Sequence, residues 1–334
     1  FCKLMTTEKT SHPKTATYLA DIRERVGRIV VGQDVVVERT LIALLTSGHL
    51  LLEGMPGLAK TLLVNTISKA LHLDFRRVQF TIDLLPSDIL GTEILDEKSG
   101  EFRTHQGPIF TNLLLTDEIN RAAPKVQGAL LESMQERKVT LGAETFSLPT
   151  PFLVIATQNP IEQSGTFELP EAQLDRFMLC HRLGYPKPEE EEEILRRNLK
   201  LGVEKKGEGA VARTEFDLVT DDAVGTPQDL VNAMEATHDI HVSEVLLKHV
   251  VDIVERTRKH PDLEMGCSPR AGISLLKASR ARALIHGRDY AIPEDIFALA
   301  EDVCLHRIRL SYEALAEGKT PQAVLQQILN DSIS

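Results

Sequence analysis

One segment, residues 49–61, constrains the fold more than any other part of the chain. An apolar run (HLLLE) predicts a buried strand, a glycine-containing loop (GMPGLAK) follows it, and apolar residues recur at helical spacing after Thr61. A strand that turns through such a loop into a helix presents backbone N–H groups at the helix start, where they bind phosphate. The segment therefore predicts a parallel α/β sheet with a nucleotide site.

The loop follows the pattern G-x-x-x-x-G-K-[ST] except at one position. Lys60 is expected to reach the β and γ phosphates, and the Thr61 hydroxyl to ligate Mg²⁺. Ala59 replaces the last glycine, which costs little if this position has helical dihedral angles, because alanine is the best helix former. A chance glycine–proline turn is the alternative. The predicted nucleotide-binding residues of the loop are Gly54, Met55, Pro56, Gly57, Leu58, Ala59, Lys60, Thr61 and Leu62.

A second buried strand, at residues 113–116 (LLLT), ends in two carboxylates. Asp117 is expected to hold Mg²⁺, and Glu118 to orient and polarise the water that attacks the γ phosphate. Asp–Glu pairs are common on surfaces, but this pair follows a strand and lies downstream of the phosphate loop. A further predicted strand, at residues 77–80, intervenes, so the two strands that carry the site need not be neighbours in the sheet.

Two more polar residues adjoin predicted strands. Asn159 follows the strand at residues 152–157 and is expected to hydrogen-bond the attacking water or the γ phosphate; an Asx-type turn cap is an equal alternative. Arg176 precedes the strand at residues 177–183, and its guanidinium suits the charge of a transition-state phosphate. A surface ion pair with Asp175 is the alternative reading of that arginine.

The order of elements divides the chain into three parts. Strands alternate with helical patterns up to about residue 184, and two predicted hairpins, at residues 93–104 and 138–148, project from this frame. Prolines at residues 186 and 188 then break the chain, and helices follow. Residues 200–222 predict a loop, and Pro227, Pro269 and Pro293 predict helix starts. The expected divisions are an N-terminal extension (1–28), an α/β nucleotide-binding domain (29–185) and an all-α lid domain (186–334).

Composition disfavours several classes of protein. The net charge of −11, the absence of Trp and the presence of only four Tyr argue against a polyanion binder, so no nucleic acid is expected as a partner. The four cysteines include no C-x-x-C pair and predict neither a disulfide framework nor a zinc site. The chain has no signal-peptide core and no apolar run of about 18 residues, so a cytoplasmic protein without direct membrane insertion is expected.

Four segments together resemble the MoxR family of AAA+ ATPases. They are GMPGLAKT, LLLTDEINRAAPKVQGALLESMQE, ATQNPIEQSGTFELPEAQLDRF and GCSPRAGISLLKASRARALIHGRDYAIPEDI, which match the Walker A, Walker B, sensor-one with arginine-finger, and sensor-two segments in order. The resemblance implies that Arg270 reaches the γ phosphate from the lid, and that the hairpins are the helix-two and pre-sensor inserts of this group. It also implies an adenine pocket bordered by Val31, Gly32 and Gln33.

The resemblance further implies how such a protein works. ATP and Mg²⁺ are the expected cofactors, a hexameric ring is the expected homo-oligomer, and the expected partners are a von Willebrand factor A domain protein and a client protein complex. Hydrolysis of ATP to ADP and phosphate would drive chaperone-like remodelling of that complex. A nucleic-acid motor or loader is the first alternative, and a P-loop small-molecule kinase is the second. The role of Arg121 stays open.

Overall fold

The computed structural model describes residues 12–55, 58–96, 100–159, 165–206, 209–220 and 223–332. Within these ranges the helices are α1 (Pro13–Gly27), α2 (Asp34–Leu45), α3 (Lys60–Ala70), α4 (Pro86–Leu90), α5 (Pro124–Glu136), α6 (Glu171–Leu174), α7 (Pro188–Asn198), α8 (Pro227–Asp239), α9 (Glu244–Lys259), α10 (Pro269–Ile285), α11 (Pro293–Cys304), α12 (Tyr312–Ala316) and α13 (Pro321–Ser332). The strands are β1 (Leu50–Glu53), β2 (Phe75–Gln79), β3 (Gly91–Asp96), β4 (Glu101–Gln106), β5 (Leu113–Asp117), β6 (Lys138–Leu141), β7 (Glu144–Ser147), β8 (Leu153–Gln158), β9 (Leu179–Arg182), β10 (Val203–Lys206), β11 (Gly209–Ala212), β12 (Leu263–Met265) and β13 (Arg309–Leu310).

A five-stranded parallel sheet lies at the centre, in the order β2-β5-β8-β1-β9. The predicted α/β fold is confirmed, and β8 separates the strand of the phosphate loop from the strand of the acidic pair. Leu52 pairs with Thr157, and Gln79 pairs with Asp117. The carboxyl ends of these strands therefore meet at one edge of the sheet, where α/β proteins bind their ligands.

Side chains on the two faces of the strands enter separate cores. Leu50 and Leu52 pack with α1, α2 and the C-terminal helices, whereas Leu51 packs with α5 on the opposite face. Leu114 of β5 lies in the same core as Leu51. Alternate residues of each strand point to opposite faces of the sheet. Both faces are covered, which explains why these strands are nearly uninterrupted apolar runs.

Helices form most of the chain after β9, as predicted, but the lid is not all-α, because two short strand pairs, β10–β11 and β12–β13, lie among the helices. α8, α10 and α11 each begin at the expected proline, whose fixed φ and missing N–H suit the first helical position. Their buried leucines join the core that covers one face of the sheet. Within the described ranges, no helix is long and apolar enough to cross a bilayer.

Buried charges join α2 to these C-terminal helices. Arg39 Nε donates to Asp302 Oδ2 at 2.5 Å, and His286 Nε2 lies 2.9 Å from Glu38 Oε2. Burial alone would raise the pKa of Glu38, but the hydrogen bond from His286 and the charges of Arg39 and Arg282 lower it to about 2. The carboxylate is therefore ionised and paired inside the protein.

The two predicted hairpins are present as β3–β4 and β6–β7. The expectation of a loop over residues 200–222 was wrong in part, because β10 pairs with β11 and a short 3₁₀ turn, Glu215–Leu218, follows. β10 (VEKK) has three charged residues among four, and β11 (GAVA) is only four residues long, so neither shows the apolar alternation from which a strand is predicted.

Candidate active site

A cleft of about 490 Å³ opens at the carboxyl edge of the sheet. It brings together most of the residues predicted from the sequence to bind nucleotide or act on it, namely Val31, Gln33, Gly54, Leu58, Ala59, Lys60, Thr61, Leu62, Asp117, Glu118 and Asn159. Gly32 and Met55 are not among the described lining residues, and Pro56 and Gly57 lie outside the described ranges.

Gly32 shapes the approach to the cleft, between two residues that line it. Its φ is +71°, and a Cβ built there would lie 2.7 Å from Oε2 of Glu190, on α7. Only glycine meets both conditions without strain. The turn thus lies between two residues that line the cleft, with the carboxylate of Glu190 close to it.

Lys60 begins α3 and extends its side chain back across the loop. Its Nζ donates to the carbonyl of Gly54 at 2.9 Å. Burial lowers the pKa of Lys60, and the negative charges of Asp117 and Glu118 act in the opposite direction. The ammonium thus faces the acidic pair across the space between β1 and β5, which is where a bound phosphate chain would need a positive charge.

Replacing the last glycine of the loop by Ala59 was expected to cost little only if this position had right-handed helical dihedral angles. It does not have them. It lies just before α3 with φ 51° and ψ 24°, in the left-handed region. Its carbonyl accepts from the backbone N–H of Leu63 at 2.9 Å, so it already closes the first turn of the helix. A residue with a Cβ is strained in this region by about 1–2 kcal/mol relative to glycine.

Asp117 ends β5 with both carboxylate oxygens in contact with neighbouring strands. Oδ2 accepts from Arg77 Nε at 2.7 Å, and Oδ1 accepts from the Thr157 hydroxyl at 3.1 Å. The same hydroxyl oxygen accepts from the backbone N–H of Glu118 at 3.0 Å. Thr157 therefore joins the ends of β5 and β8 and fixes the direction of both acidic residues.

The donor set at this point fits Mg²⁺. Asp117 supplies a carboxylate and Thr61 a hydroxyl, both at the cleft, and hard oxygen ligands are those that Mg²⁺ prefers. Mg²⁺ is commonly held by only one or two protein groups, with water and phosphate oxygens as its other ligands. These two residues would therefore suffice to hold the ion of a bound Mg²⁺–nucleotide.

Glu118 adopts a left-handed backbone conformation with φ 56°. Its Oε2 accepts from Gln79 Nε2 at 2.9 Å, and Arg121 Nε lies 2.8 Å from the same oxygen. Strained non-glycine residues of this kind cluster at functional sites. Arg121, whose role the sequence left open, is thus a direct neighbour of the carboxylate.

Three residues that hydrogen-bond the acidic pair were not found from the sequence. Arg77 and Gln79 lie on β2, and Thr157 lies on β8. The alternation of Arg77 and Gln79 at the end of a strand is a weak signal, and it gains meaning only when β2 is known to be the neighbour of β5. Asn159, which was predicted, lies buried at the end of β8 beside these groups.

Arg176 and Arg270 lie apart from this cleft. Both line a second cleft of about 260 Å³, to which Lys277 also contributes. Arg270 Nη1 is 3.4 Å from Asp175 Oδ2, while the buried Arg307 donates to Asp175 Oδ1 at 2.7 Å. Asp175 thus pairs with these two residues, and within the described residues no ion pair with Arg176 is found.

Comparison with known proteins agrees with this architecture. The model of the ATPase family associated with various cellular activities (AAA) matches residues 49–179, and that of the AAA lid domain matches residues 255–328. A candidate ATPase from Cytophaga hutchinsonii, solved by crystallography, superposes with a TM-score of 0.84 at 41% identity and covers 95% of this chain and 94% of its own.

Two curated relatives extend over almost the same length. Chaperone MoxR1 of Mycobacterium tuberculosis is 46% identical over 313 residues, which are 91% of this chain and 79% of that protein. Protein MoxR of Methylorubrum extorquens is 30% identical over 324 residues, 91% of each. The fold, the sequence of motifs and these relatives agree, and the chain belongs to the MoxR family of AAA+ ATPases.

Proposed function

We propose that this protein binds ATP with Mg²⁺, hydrolyses it to ADP and phosphate, and uses the reaction to remodel partner protein complexes. One observation carries the proposal. Lys60 and the Asp117–Glu118 pair face the same cleft from two strands that β8 separates, with Thr157 between them. A cation for the phosphates and two carboxylates with different neighbours are the groups that hydrolysis requires.

The neighbours of each carboxylate suggest separate roles. Asp117 and Thr61 would hold Mg²⁺, which neutralises charge on the phosphates when bound. Glu118 would take a proton from the attacking water as the bond between the γ phosphorus and its bridging oxygen breaks. Gln79, which donates to Glu118, would hold that carboxylate in place, and Asn159 would position the water or the γ phosphate.

Arg176 and Arg270 support a site that is shared between subunits. They were expected to act on phosphate, yet they line a separate cleft together with Lys277. We infer that both arginines reach the nucleotide of a neighbouring subunit in a homo-oligomeric ring, which the family resemblance suggests is a hexamer. A heterologous ring lets every subunit both give and receive these groups.

The remodelling role rests on relatives and on the division of the chain. One relative is named a chaperone, and hydrolysis at a cleft between an α/β domain (29–185) and a helical lid (186–334) would move one part against the other. We propose that this movement acts on a client complex through a von Willebrand factor A domain partner. The N-terminal part (1–28) would pack on both domains through α1.

A single substitution tests the reaction. Glu118→Gln should bind ATP as the parent does, because Lys60, Thr61 and Asp117 remain, but its phosphate release should fall about 10²-fold or more, the usual contribution of a general base. Glu132→Gln, at an exposed position on α5, is the matched control and should hydrolyse ATP normally. Parental turnover by Glu118→Gln would refute the assignment of the base.

The same variant tests the remodelling role. Immobilised Glu118→Gln with ATP should retain a defined protein complex from a lysate, and addition of wild-type protein with ATP should change the composition of the purified complex. DNA that accelerates ATP hydrolysis with a steep salt dependence would instead favour a nucleic-acid motor. Transfer of phosphate to a metabolite would favour a kinase.

A further inference from the structure

A short segment after α7 forms part of the wall of the nucleotide cleft. Phe216 and Leu218 belong to the 3₁₀ turn Glu215–Leu218, and both line the same cleft as Lys60 and Thr61. The two residues are 46% and 39% exposed, which is high for large apolar residues inside a concave site. A ligand bound in the cleft would therefore cover both residues.

The turn is capped and is held to α7. Thr214 donates its backbone N–H to Asp217 Oδ2 at 2.6 Å, which caps the turn. Asn198, the last residue of α7, donates its side-chain amide to Glu215 Oε1 at 2.7 Å. Beyond the turn, the N–H of Val224 donates to the carbonyl of Ala70 at the end of α3 at 2.7 Å.

The lining of the cleft combines apolar and charged side chains. Its apolar residues include Val31, Ile194, Phe216 and Leu218, with the charged Arg197 and Glu215 beside them. Lys60, Asp117 and Glu118 line the same cleft at the phosphate loop and after β5. A nucleoside triphosphate needs both kinds of group, because its base offers two flat apolar faces and its phosphates carry the charge.

We propose that Phe216 stacks on the base of the bound nucleotide, and that Leu218 packs against the edge of that base. Among the described residues that line the cleft, Phe216 is the aromatic one, and aromatic rings are the side chains on which bases stack. The inference rests on the proposed binding of ATP. It assigns to residues 214–219 the positioning of the base, a contribution separate from the phosphate loop.

A chain without tryptophan offers a direct probe. Phe216→Trp places a single indole at the turn, and we expect ATP to quench or shift its emission while inorganic tripolyphosphate, which has no base, leaves the emission unchanged. The affinity of Phe216→Ala for ATP should fall about ten-fold, as expected for the loss of one stacked ring. Its affinity for tripolyphosphate should equal that of the parent.

A control from the same segment separates stacking from damage to the fold. Val211→Ala removes an exposed apolar side chain from β11, away from the lining of the cleft, and should bind both ligands as the parent does. Parental ATP affinity of Phe216→Ala, or an equal loss for ATP and tripolyphosphate, would overturn the stacking role. If the parent itself fails to bind ATP, the proposed function falls instead.

Discussion

Ala59, just before α3, has a left-handed backbone conformation. This conformation alone decides whether glycine at the position raises or lowers the free energy of unfolding. Ala59 has φ 51° and is therefore strained by about 1–2 kcal/mol, a cost that glycine does not have. Glycine also gives the unfolded chain more conformational freedom, which offsets about 0.4–1 kcal/mol of that gain. Ala59→Gly should raise the free energy of unfolding by about 0.5–1 kcal/mol.

The same chemical change in a right-handed helix should have the opposite sign. Ala20 is exposed in the middle of α1, so Ala20→Gly should lower the free energy of unfolding by about 1 kcal/mol. Urea unfolding of the parent and both variants, followed by circular dichroism, gives the two differences under one set of conditions. If both variants lose stability equally, the strain at Ala59 is not what the geometry indicates.

Three further predictions concern binding, assembly and pH. Lys60→Ala should weaken ATP binding by about ten-fold or more in calorimetry, because a charged hydrogen-bond donor to phosphate is lost, whereas exposed Lys69→Ala should bind normally. Lys60→Ala and Arg176→Ala should each be inactive alone and should regain ATPase activity when mixed. Some interfaces of a mixed ring then pair an intact phosphate loop with an intact Arg176. No recovery in co-assembled rings would contradict a shared site. Burial lowers the pKa of His49 to about 4 from 6.5, so the unfolded chain protonates first, and the free energy of unfolding should fall by about 2 kcal/mol between pH 7 and pH 5. His49→Gln should remove that part of the pH dependence in urea titrations, and an unchanged slope would refute the assignment.

Local sequence was enough to predict the central elements. The runs in Leu50–Glu53 and Leu113–Asp117 are apolar because both faces of the sheet are covered, and this pattern is visible without any knowledge of neighbours. The loop and the acidic pair follow these strands directly along the chain. They meet in one cleft because the strands are parallel and their carboxyl ends lie at one edge of the sheet.

What could not be predicted depends on residues that are distant along the chain. Gln79 contacts Glu118 only because β2 pairs with β5, and the order of strands is set by packing rather than by any local pattern. The left-handed conformation of Ala59 depends on how the loop enters α3, and amino-acid composition does not predict that geometry. Arg176 and Arg270 were assigned to phosphate by type and resemblance, and neither property revealed that they share a second cleft.

The charges between α2 and the C-terminal helices limit how this chain can be divided. Arg39 and Asp302 are 263 positions apart, yet each neutralises the other in the interior. A cut after residue 185 would separate Arg39 from Asp302 and Glu38 from Arg282, and breaking a buried ion pair destabilises a protein by about 3–5 kcal/mol. The two pieces are therefore not exchangeable modules: a chimera that takes its lid from another protein must also bring a matching α2 to keep these charges paired.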